Sequence, residues 1–434
     1  MEILSLGEKI KRKRKSLNMT LKDLAGDRIT PGQISLVETG KSNPSMDLLE
    51  YLAEALNTSV EYLMESEESQ AENICIYYEN IAETYLLDAS LSLAEEYVEK
   101  SLYYAEKYHL EYRKAKNLFL RGKICIKKDE LGIAQQYLLS ANAIFIKNNK
   151  YEETINTFLN LGIITLKLKA YHSSSSYFKQ AEKIFIDNDI GNDFLLGEIY
   201  YYIAYTFFKL EDMDNSITYS FLAQEKFKKI NNKREYAKSL ILLSKEYVEK
   251  GDIKNAITFS QKALRTYKEL NNSYYISEIE NDLGKLFYEF DNIEQSMLHL
   301  QNAKSIRIKN NDNKLVDTLV NICNNYIKLK DIDESKKVLK EIMNQVENGN
   351  NKALIRYYLL KYRIDLLESK HLEAENTLAM ALEFAKSMEY LEEASEIAIT
   401  LGKYYIDHGN DKKAAKYLNE GVEMFRKQGI IKDS

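Results

Sequence analysis

The apolar residues of the first 65 positions recur at helical spacing in five short groups. Polar and turn-forming residues separate these groups, and both prolines of the chain, Pro31 and Pro44, lie among them. The apolar positions are Ile3, Leu6, Ile10 and Leu17, then Leu21, Leu24 and Ala25, then Ile34 and Val37, then Met46, Leu48, Leu49, Leu52, Ala53 and Leu56, and finally Val60 and Leu63. The pattern predicts a compact bundle of about five short helices within residues 1–66.

Two of the predicted helices carry the capping signals of a closely joined pair. Thr20 and Thr30 stand at N-cap positions, and Pro31 follows at the first helical position, where the amide that proline lacks would have no partner. Gly40 then closes the second helix. Two short helices joined by a tight turn form a helix-turn-helix, and we expect residues 30–39 to be its recognition helix.

From about residue 74 to residue 428 the pattern changes to a repeat of about 40 residues. Each repeat has one position, here called the anchor, where a small residue usually stands, and further small residues follow twelve and nineteen positions later. Antiparallel helices approach closely only where small residues face each other, and such pairs bury their other apolar faces by stacking. The anchors are Ala82, Gly122, Gly162, Ala204, Ser244, Gly284, Cys323, Tyr362 and Gly402, of which Tyr362 departs most from the pattern. The spacing predicts an all-α solenoid of about nine helix pairs.

The stretch "ESEESQAE" after Met64 is charged and poor in apolar residues. We interpret residues 67–73 as a linker or the start of a helix. The chain is therefore predicted to have a helix-turn-helix domain over residues 1–66, this linker, and a repeat domain over residues 74–434.

The composition agrees with a protein that has a substantial core. Hydrophobic residues make up 45% of the 434 positions, yet no apolar run reaches the length of a membrane span. The N-terminus leads directly into a charged helix, so we expect no secretion signal. Cys75, Cys125 and Cys323 lie far apart, which favours reduced thiols over a disulfide framework. We therefore expect a cytoplasmic protein with no membrane contact.

The charge of the chain is unevenly distributed. The net charge is −6, but residues 1–64 are neutral, with nine Lys and Arg against nine Asp and Glu. Six of these nine basic residues lie within residues 9–15, in the run "KIKRKRK". A local basic stripe can contact nucleic acid phosphates even where the net charge is zero, whereas the acidic repeats should repel DNA. Contact with DNA is therefore expected only from the N-terminal domain.

Catalytic and nucleotide-binding motifs are not supported by the sequence. The "TGKS" segment resembles the end of a phosphate-binding loop, but Ser35 stands where the earlier glycine of that loop is required. The five histidines show no metal-ligand spacing. We therefore expect no catalytic residue, no metal and no cofactor, and a protein that is not an enzyme.

Residues 6–64 resemble the phage-repressor-like (Xre/Cro) helix-turn-helix family. The matching residues are Leu6 to Ile10, Arg14, Thr20, Leu24, Ala25, Ile34, Ser35, Glu38, Gly40, Lys41, Asn43 to Ser45, Leu52, Ala53 and Leu56. The turn is about one residue shorter than usual, and Pro31 and Gly32 stand where such repressors often carry base-reading amides. The resemblance implies DNA binding, with Gln33, Ser35 and Leu36 left to reach base edges. The expected DNA-binding residues are Lys11, Lys13, Arg14, Thr20, Thr30, Gly32, Gln33, Ser35, Lys41 and Asn43.

The repeats resemble tetratricopeptide repeats lengthened by about six residues each. This resemblance implies a right-handed α-solenoid of about nine tetratricopeptide-like helix pairs. A helix-turn-helix followed by such repeats is similar, over essentially the whole chain, to the RRNPP family of peptide-pheromone receptors. That similarity implies a cytoplasmic homodimer that binds an inverted-repeat operator in double-stranded DNA and senses a short signalling peptide in the repeat groove. In that family, groove asparagines hold the peptide backbone. The expected peptide-binding residues are Asn80, Asn160, Tyr205, Asn281, Asn321 and Asn324.

Three alternatives remain beside this interpretation. The N-terminal unit could be a protein-interaction module whose basic run is only a solvated helix face. The whole chain could be a constitutive DNA-binding regulator whose repeats only dimerise or recruit a protein partner. It could also be a phosphatase-like relative that blocks a response regulator, which is disfavoured because such relatives lack this helix-turn-helix.

Overall fold

The computed structural model describes residues 2–347 and 351–427, and the secondary structure of this part of the chain is entirely helical. Five short helices come first, as predicted. They are α1 (Leu6–Ser16), α2 (Leu21–Ala25), α3 (Pro31–Glu38), α4 (Met46–Ala55) and α5 (Val60–Met64). The predicted N-caps Thr20 and Thr30 are confirmed, because their side chains accept hydrogen bonds from backbone amides in the first turns of α2 and α3. Ser45 caps α4 in the same way.

Most of the predicted apolar positions form the core of this bundle or pack against it. Leu24, Ile34 and Leu52 are fully buried, but Leu17 and Met46 are about half exposed, at 44% and 51%. Leu17 is the C-cap of α1 and Met46 is the first residue of α4, so both lie at helix ends that project beyond the packed faces. These two apolar positions therefore lie outside the core.

Eighteen longer helices follow in the described residues and form nine antiparallel pairs. They are α6 (Glu67–Leu87), α7 (Leu91–Lys107), α8 (Glu111–Lys127), α9 (Leu131–Lys147), α10 (Tyr151–Lys167), α11 (Tyr171–Asp187), α12 (Asp193–Lys209), α13 (Met213–Lys229), α14 (Lys233–Glu249), α15 (Ile253–Glu269), α16 (Ser273–Glu289), α17 (Ile293–Lys309), α18 (Leu315–Lys328), α19 (Ile332–Glu347), α20 (Asn351–Leu367), α21 (His371–Ser387), α22 (Leu391–Asp407) and α23 (Asp411–Lys427). The even-numbered member of each pair carries the anchor, and the odd-numbered member packs against it. The predicted repeat fold is confirmed.

The anchors are the points of closest approach within the pairs. A Cβ atom added to Gly122 would lie 2.8 Å from Leu138 Cγ, and one added to Gly402 would lie 2.7 Å from Leu418 Cγ. The small residue twelve positions later closes the same crossing, since Ser296 Oγ donates to the carbonyl of Gly284 at 2.6 Å. Any larger side chain at these glycines would push the two helices apart.

The turns between repeat helices need neither proline nor glycine at most positions. Asn149 and Lys169 adopt left-handed backbone angles, with φ of 53° and 59°, and equivalent residues recur about every 20 positions. The following amide reaches back to the end of the helix, as Lys150 N does to Phe145 O at 2.9 Å. These bonds satisfy carbonyls that would otherwise lack a partner at the helix end.

Residues 67–73 are helical and form the first turns of α6 rather than a flexible linker. The side chain of Ser66 accepts a hydrogen bond from Ser69 N and so caps the helix, and Glu67 and Glu68 complement the positive end of the helix dipole. The charged composition that suggested a linker is therefore an N-terminal helix signal.

The chain divides into two compact units, of which the first ends at Tyr219 and the second begins at Ser220. The first unit contains the short-helix bundle with its own core, and a larger core that includes Phe158, Phe178 and Ile199. The second unit has cores that include Ile322 and Leu401. The predicted boundary near residue 66 lies within the first unit.

Candidate functional site

The outer face of α3 is the surface expected to meet DNA. Gly32, Gln33 and Leu36 are exposed on it, and Ser35 is half-buried beside them. The Gln33 side chain closes a capping box, because its Oε1 accepts from Thr30 N at 3.0 Å. Leu36 is 46% exposed. The helix therefore presents one amide, one hydroxyl and one apolar group to solvent.

The short turn before α3 is held in place by Tyr51 of α4. Its hydroxyl donates to Leu24 O at 3.1 Å, and the Arg28 guanidinium lies over its ring, 5.5 Å from the centroid. Gly26 has a φ of 56°, and a Cβ there would lie 2.6 Å from the Tyr51 hydroxyl oxygen. The turn can therefore be shorter than usual because Tyr51 and Gly26 fit together, a relationship that the sequence pattern did not indicate.

Arg14 is placed differently from the expectation that it contacts DNA phosphates. Its Nε and Nη2 donate to the two carboxylate oxygens of Glu38 at 2.6 and 2.9 Å, and its Nη1 donates to Met19 O at 2.9 Å. The hydrogen bond with Glu38 raises the pKa of Arg14 further, although burial opposes this. The guanidinium is thus occupied in joining α1 to the end of α3, so we assign it a positioning role.

The basic run within residues 9–15 is split between the interior and the surface. Lys9 is 1% exposed, and its Nζ donates to Tyr62 O and Glu65 O, both at 2.7 Å. Lys11 is exposed, and Lys13 is half-buried over the Tyr62 ring. Lys9 therefore serves the fold, whereas Lys11 and Lys13 remain candidates for phosphate contact.

The other expected DNA-binding residues lie around α3. Thr20 and Thr30 are exposed N-caps of α2 and α3, and Lys41 and Asn43 are exposed in the loop that follows α3. The expected DNA-binding residues other than Arg14 therefore lie on α1, on α3, at the N-caps of α2 and α3, and in the loop after α3. Only Arg14 is withdrawn from that set of candidate contacts.

The short-helix bundle is fixed directly to the first repeat helix. The side-chain amide of Gln70 in α6 accepts from Leu4 N at 3.1 Å and donates to Leu4 O at 2.8 Å, so it pairs with both backbone groups of Leu4. Lys9 donates to the carbonyls of Tyr62 in α5 and of Glu65, the C-cap of α5, so it fixes the end of the bundle from which α6 begins. Local sequence patterns do not indicate this joint, because its partners are more than 50 positions apart.

The expected peptide-binding residues of the first unit lie on three separate first helices of repeats. Asn80 is exposed on α6, and Asn160 is half-buried on α10, where its Nδ2 donates to Asn156 O at 2.7 Å. Tyr205 is half-buried on α12 with the Lys209 ammonium 5.5 Å from its ring centroid. Each side chain reaches the surface of its helix, but the structure does not gather the three into one cluster.

The expected residues of the second unit are closer to one another. Asn281 is only 4% exposed, and its Oδ1 accepts from Asn321 Nδ2 at 3.1 Å and from Thr318 Oγ1 at 3.2 Å. Asn324 is half-buried and accepts from Arg363 Nη1 at 2.5 Å. Asn281 therefore lies behind the surface as support for Asn321, while Asn321 and Asn324 remain accessible.

Among the described residues, all three cysteines are buried and form no disulfide. No group of three or more potential metal ligands occurs there. Burial raises the pKa of the Cys75 thiol to about 11 and that of Cys323 to about 12, which keeps both in the unreactive thiol form. His371 Nδ1 and His408 Nε2 do lie 3.1 Å apart, a contact that the sequence spacing did not indicate. Among the helices that the structure describes, none is both long and apolar enough to cross a membrane.

Comparison with known families and structures agrees with this architecture. A helix-turn-helix family model matches residues 10–63, and a tetratricopeptide repeat model matches residues 237–269, which lie in α14 and α15. None of the curated proteins matches the sequence.

Three solved structures have the same overall fold at low sequence identity. The apo form of RapI has a TM-score of 0.65 at 15% identity and covers 82% of this chain and 98% of its own. The apo form of the quorum sensor NprR from B. thuringiensis has a TM-score of 0.57 at 15% identity and covers 83% and 100%. Aspartyl phosphate phosphatase F from Bacillus subtilis has a TM-score of 0.51 at 16% identity and covers 83% and 94%. The chain thus combines an Xre-like helix-turn-helix domain with a tetratricopeptide-repeat solenoid of the fold found in RRNPP proteins such as RapI and NprR.

Proposed function

We propose that the protein is a sequence-specific transcription regulator whose repeat domain senses a short signalling peptide in the cytoplasm. The observation that carries this proposal is the direct joint between the bundle that presents α3 and the first repeat helix, through Lys9 and Gln70. A fixed joint allows a change in the repeats to move the DNA-binding surface. A flexible linker would not transmit such a change.

DNA recognition is assigned to the exposed face of α3. The amide of Gln33 suits adenine, the hydroxyl of Ser35 suits several base edges, and Leu36 suits a thymine methyl group. We assign phosphate contacts, which supply affinity without sequence preference, to Lys11, Lys13, Lys41 and Asn43. The exposure of Lys11, Lys41 and Asn43 and the partial exposure of Lys13 support this assignment. Because a single bundle offers few base contacts, we propose that a homodimer reads an inverted repeat.

Peptide recognition is assigned to the first helices of the repeats. An asparagine amide both donates and accepts, as a backbone peptide unit does, so accessible asparagines can hold an extended peptide of varied sequence. Asn80 and Asn160 are candidates within the first unit, and Asn321 and Asn324 are separate candidates within the second unit. The description of NprR as a quorum sensor supports a sensing role for this fold.

A stepwise binding experiment tests the proposal. The full-length protein is used to select sites from random DNA duplexes, and the selected sites are expected to converge on an inverted repeat. Short peptides encoded near the gene are then screened by thermal shift, and a peptide that binds should change the affinity for the selected site. If no DNA sequence is enriched, the regulator assignment is wrong. If a site is enriched but no peptide binds, a constitutive regulator whose repeats recruit a partner is the better description.

A further inference from the structure

We propose that the first helices of the second unit bind an acidic peptide through a row of cationic side chains. We call this row the basic lane, and it consists of Lys245, Lys285, Arg363 and Lys403, with Asn324 between the second and third. The proposal rests on the peptide-sensing function above and specifies the chemistry of the peptide.

The basic lane occupies one structural position in five successive repeats. Each member stands one residue after the anchor, on α14, α16, α18, α20 and α22. The four cationic residues are exposed, and Asn324 is half-buried. Arg363 Nη1 donates to Asn324 Oδ1 at 2.5 Å, which shows that lane residues of adjacent repeats lie within reach of one another.

The repeat fold itself does not require these charges. The equivalent residues of the first unit are Glu83, Lys123, Ile163 and Tyr205, which include one acidic, one basic and two uncharged side chains. The anchor and the small residues that follow it keep their packing roles in both units, as Gly122 and Gly284 show. The concentration of cations in the second unit is therefore a property of that surface and not of the helix-pair architecture.

A partly exposed apolar row runs beside the basic lane. Ile241, Val320 and Leu359 lie four residues before the lane position on α14, α18 and α20, which is one helical turn away on the same face. Each is half-buried against the core and leaves part of its side chain in solvent. A ligand on this surface can therefore bury apolar side chains while its charged groups meet the lane.

Asp282, an acidic residue beside the lane, forms no close ion pair with it. Asp282 Oδ1 is 3.9 Å from Lys285 Nζ, and Lys285 remains 50% exposed. The pKa of Asp282 is raised by desolvation, so its charged form is not strongly stabilised there. Glu278 is held by Arg307 and by Lys314, the latter at 3.0 Å.

The occupant that fits these features is a short extended peptide with carboxylates at regular intervals. Packed helices lie roughly 8–10 Å apart, and an extended chain rises by about 3.3 Å per residue. Carboxylates about three residues apart, including a free C-terminus, would therefore meet successive lane residues. Charge-assisted hydrogen bonds of this kind are stronger than neutral ones. They would also attract an acidic peptide to a protein whose net charge of −6 otherwise repels it.

The test uses the full-length protein and two pools of fluorescently labelled short peptides. One pool has glutamate at every third position, mixed aliphatic residues elsewhere and a free C-terminus. The matched pool has glutamine at the same positions and an amidated C-terminus. We expect fluorescence anisotropy to show that the acidic pool binds about tenfold more tightly or better, since hydrogen bonds to charged groups exceed the energy of a tenfold change.

Two charge-matched double variants locate the binding. Lys245→Gln with Lys285→Gln removes two lane cations, and Lys254→Gln with Lys412→Gln removes two exposed cations from the second helices α15 and α23. We expect the lane variant to bind the acidic pool about tenfold more weakly. The control variant should bind that pool as the wild type does, because only the net charge has changed.

The other outcomes separate the two proposals. Equal binding of both pools, or equal decreases in affinity in both double variants, would overturn the basic lane and leave peptide sensing intact. The same holds if a fully random peptide library yields only binders without acidic groups. Failure of that library to yield any binder would overturn peptide sensing and the lane together. Loss of operator DNA affinity in the lane variant, with peptide binding unchanged, would identify the lane as a nucleic acid surface and overturn the proposal.

Discussion

Arg14 and Glu38 join the N-terminal helix to the end of the recognition helix through two parallel hydrogen bonds of 2.6 and 2.9 Å. Their side chains are only 11% and 6% exposed. Gly7 completes this contact, because a Cβ there would lie 2.5 Å from the carbonyl oxygens of Val37 and Glu38. The orientation of α3 on the bundle is therefore set by α1.

Replacing Arg14 should destabilise the bundle without removing a DNA contact. In Arg14→Met the Glu38 carboxylate is left without its partner in a nearly buried place, and we expect the free energy of unfolding to fall by about 1.5–3 kcal/mol. Chemical denaturation of the variant measures this decrease. Exposed Lys11→Met serves as the control and should leave the stability nearly unchanged. A stable Arg14→Met protein with weakened binding to all DNA would show instead that Arg14 contacts DNA phosphates.

Base-reading and phosphate-contacting residues should separate in their effects on DNA binding. Gln33→Ala with Ser35→Ala should remove the preference for the operator, because each base that these side chains recognise is worth about 1–3 kcal/mol of discrimination. Lys11→Gln with Lys13→Gln should instead weaken binding to all sequences and reduce the salt dependence.

Competition assays at two salt concentrations distinguish the two patterns. Because Gln33→Ala also opens the capping box with Thr30, its thermal unfolding must be measured alongside. Operator preference that survives in the Gln33 and Ser35 variant would show that α3 does not read bases through these side chains.

The accessible asparagines should contribute to peptide affinity and not to DNA affinity. Asn160→Ala or Asn324→Ala removes an amide that would otherwise pair with the peptide backbone, at a cost of about 1–3 kcal/mol. Calorimetry with the cognate peptide measures the effect. Asn302→Ala is the control, since Asn302 is an exposed asparagine on the second helix α17 and lies outside the expected site. Unchanged affinity in both test variants would remove these asparagines from the site.

The joint at Gln70 should matter for communication more than for either binding event alone. Gln70→Ala breaks both hydrogen bonds to Leu4. We expect the peptide to change the operator affinity several-fold less in this variant than in the wild type. Coupling between the peptide site and the DNA-binding surface requires a two-state element whose equilibrium both ligands shift.

Titrations with and without peptide measure this coupling, and Ser69→Ala, an exposed change one residue away, is the control. An unaltered peptide effect in Gln70→Ala would place the communication outside this joint.

Glu79 should make the stability of the first unit depend on pH. It is 3% exposed, and burial raises its pKa, although Arg113 and Asn117 oppose the shift. The folded state therefore binds the proton more tightly than the unfolded state, so this contribution to stability falls as pH rises from the ordinary glutamate pKa through the raised one.

Glu79→Gln should remove this fall and retain an acceptor for Asn117 Nδ2, now 2.9 Å from Glu79 Oε1. Melting temperatures measured across this pH range test the expectation. A wild-type curve no steeper than that of the variant would contradict it.

Local features were predictable from the sequence, whereas contacts between distant residues were not. Thr20, Thr30 and Ser45 could be assigned as N-caps because an N-cap lies next to its helix in the chain. The anchors could be assigned because the same position recurs in each repeat. Arg14 was grouped with the candidate DNA contacts because it belongs to a basic run that suggests a solvated stripe, and the sequence did not indicate its contact with Glu38. Its position four residues after the buried Ile10 places it on the inner face of α1, and this helical period could have indicated its role.

The peptide surface was harder to predict for a physical reason. Asn281 and Asn321 both fit a groove asparagine by position, but only the structure shows that one supports the other. The basic lane depends on which face of each helix remains exposed. A single-sequence repeat alignment gives the position of each residue, whereas exposure depends on the packing of neighbouring pairs.

The length of α6 determines how far a change in its tilt would displace the bundle attached to its start. Its 21 residues span about 31 Å at the rise of an α-helix. A tilt of about 5° over that length displaces one end by about 3 Å, roughly the length of a hydrogen bond. The hydrogen bonds of Lys9 and Gln70 hold the bundle against the start of α6. A change in the direction of α6 therefore moves the bundle with it. A small rotation of the first repeats would then be enough to move α3 out of register with the edges of its base pairs.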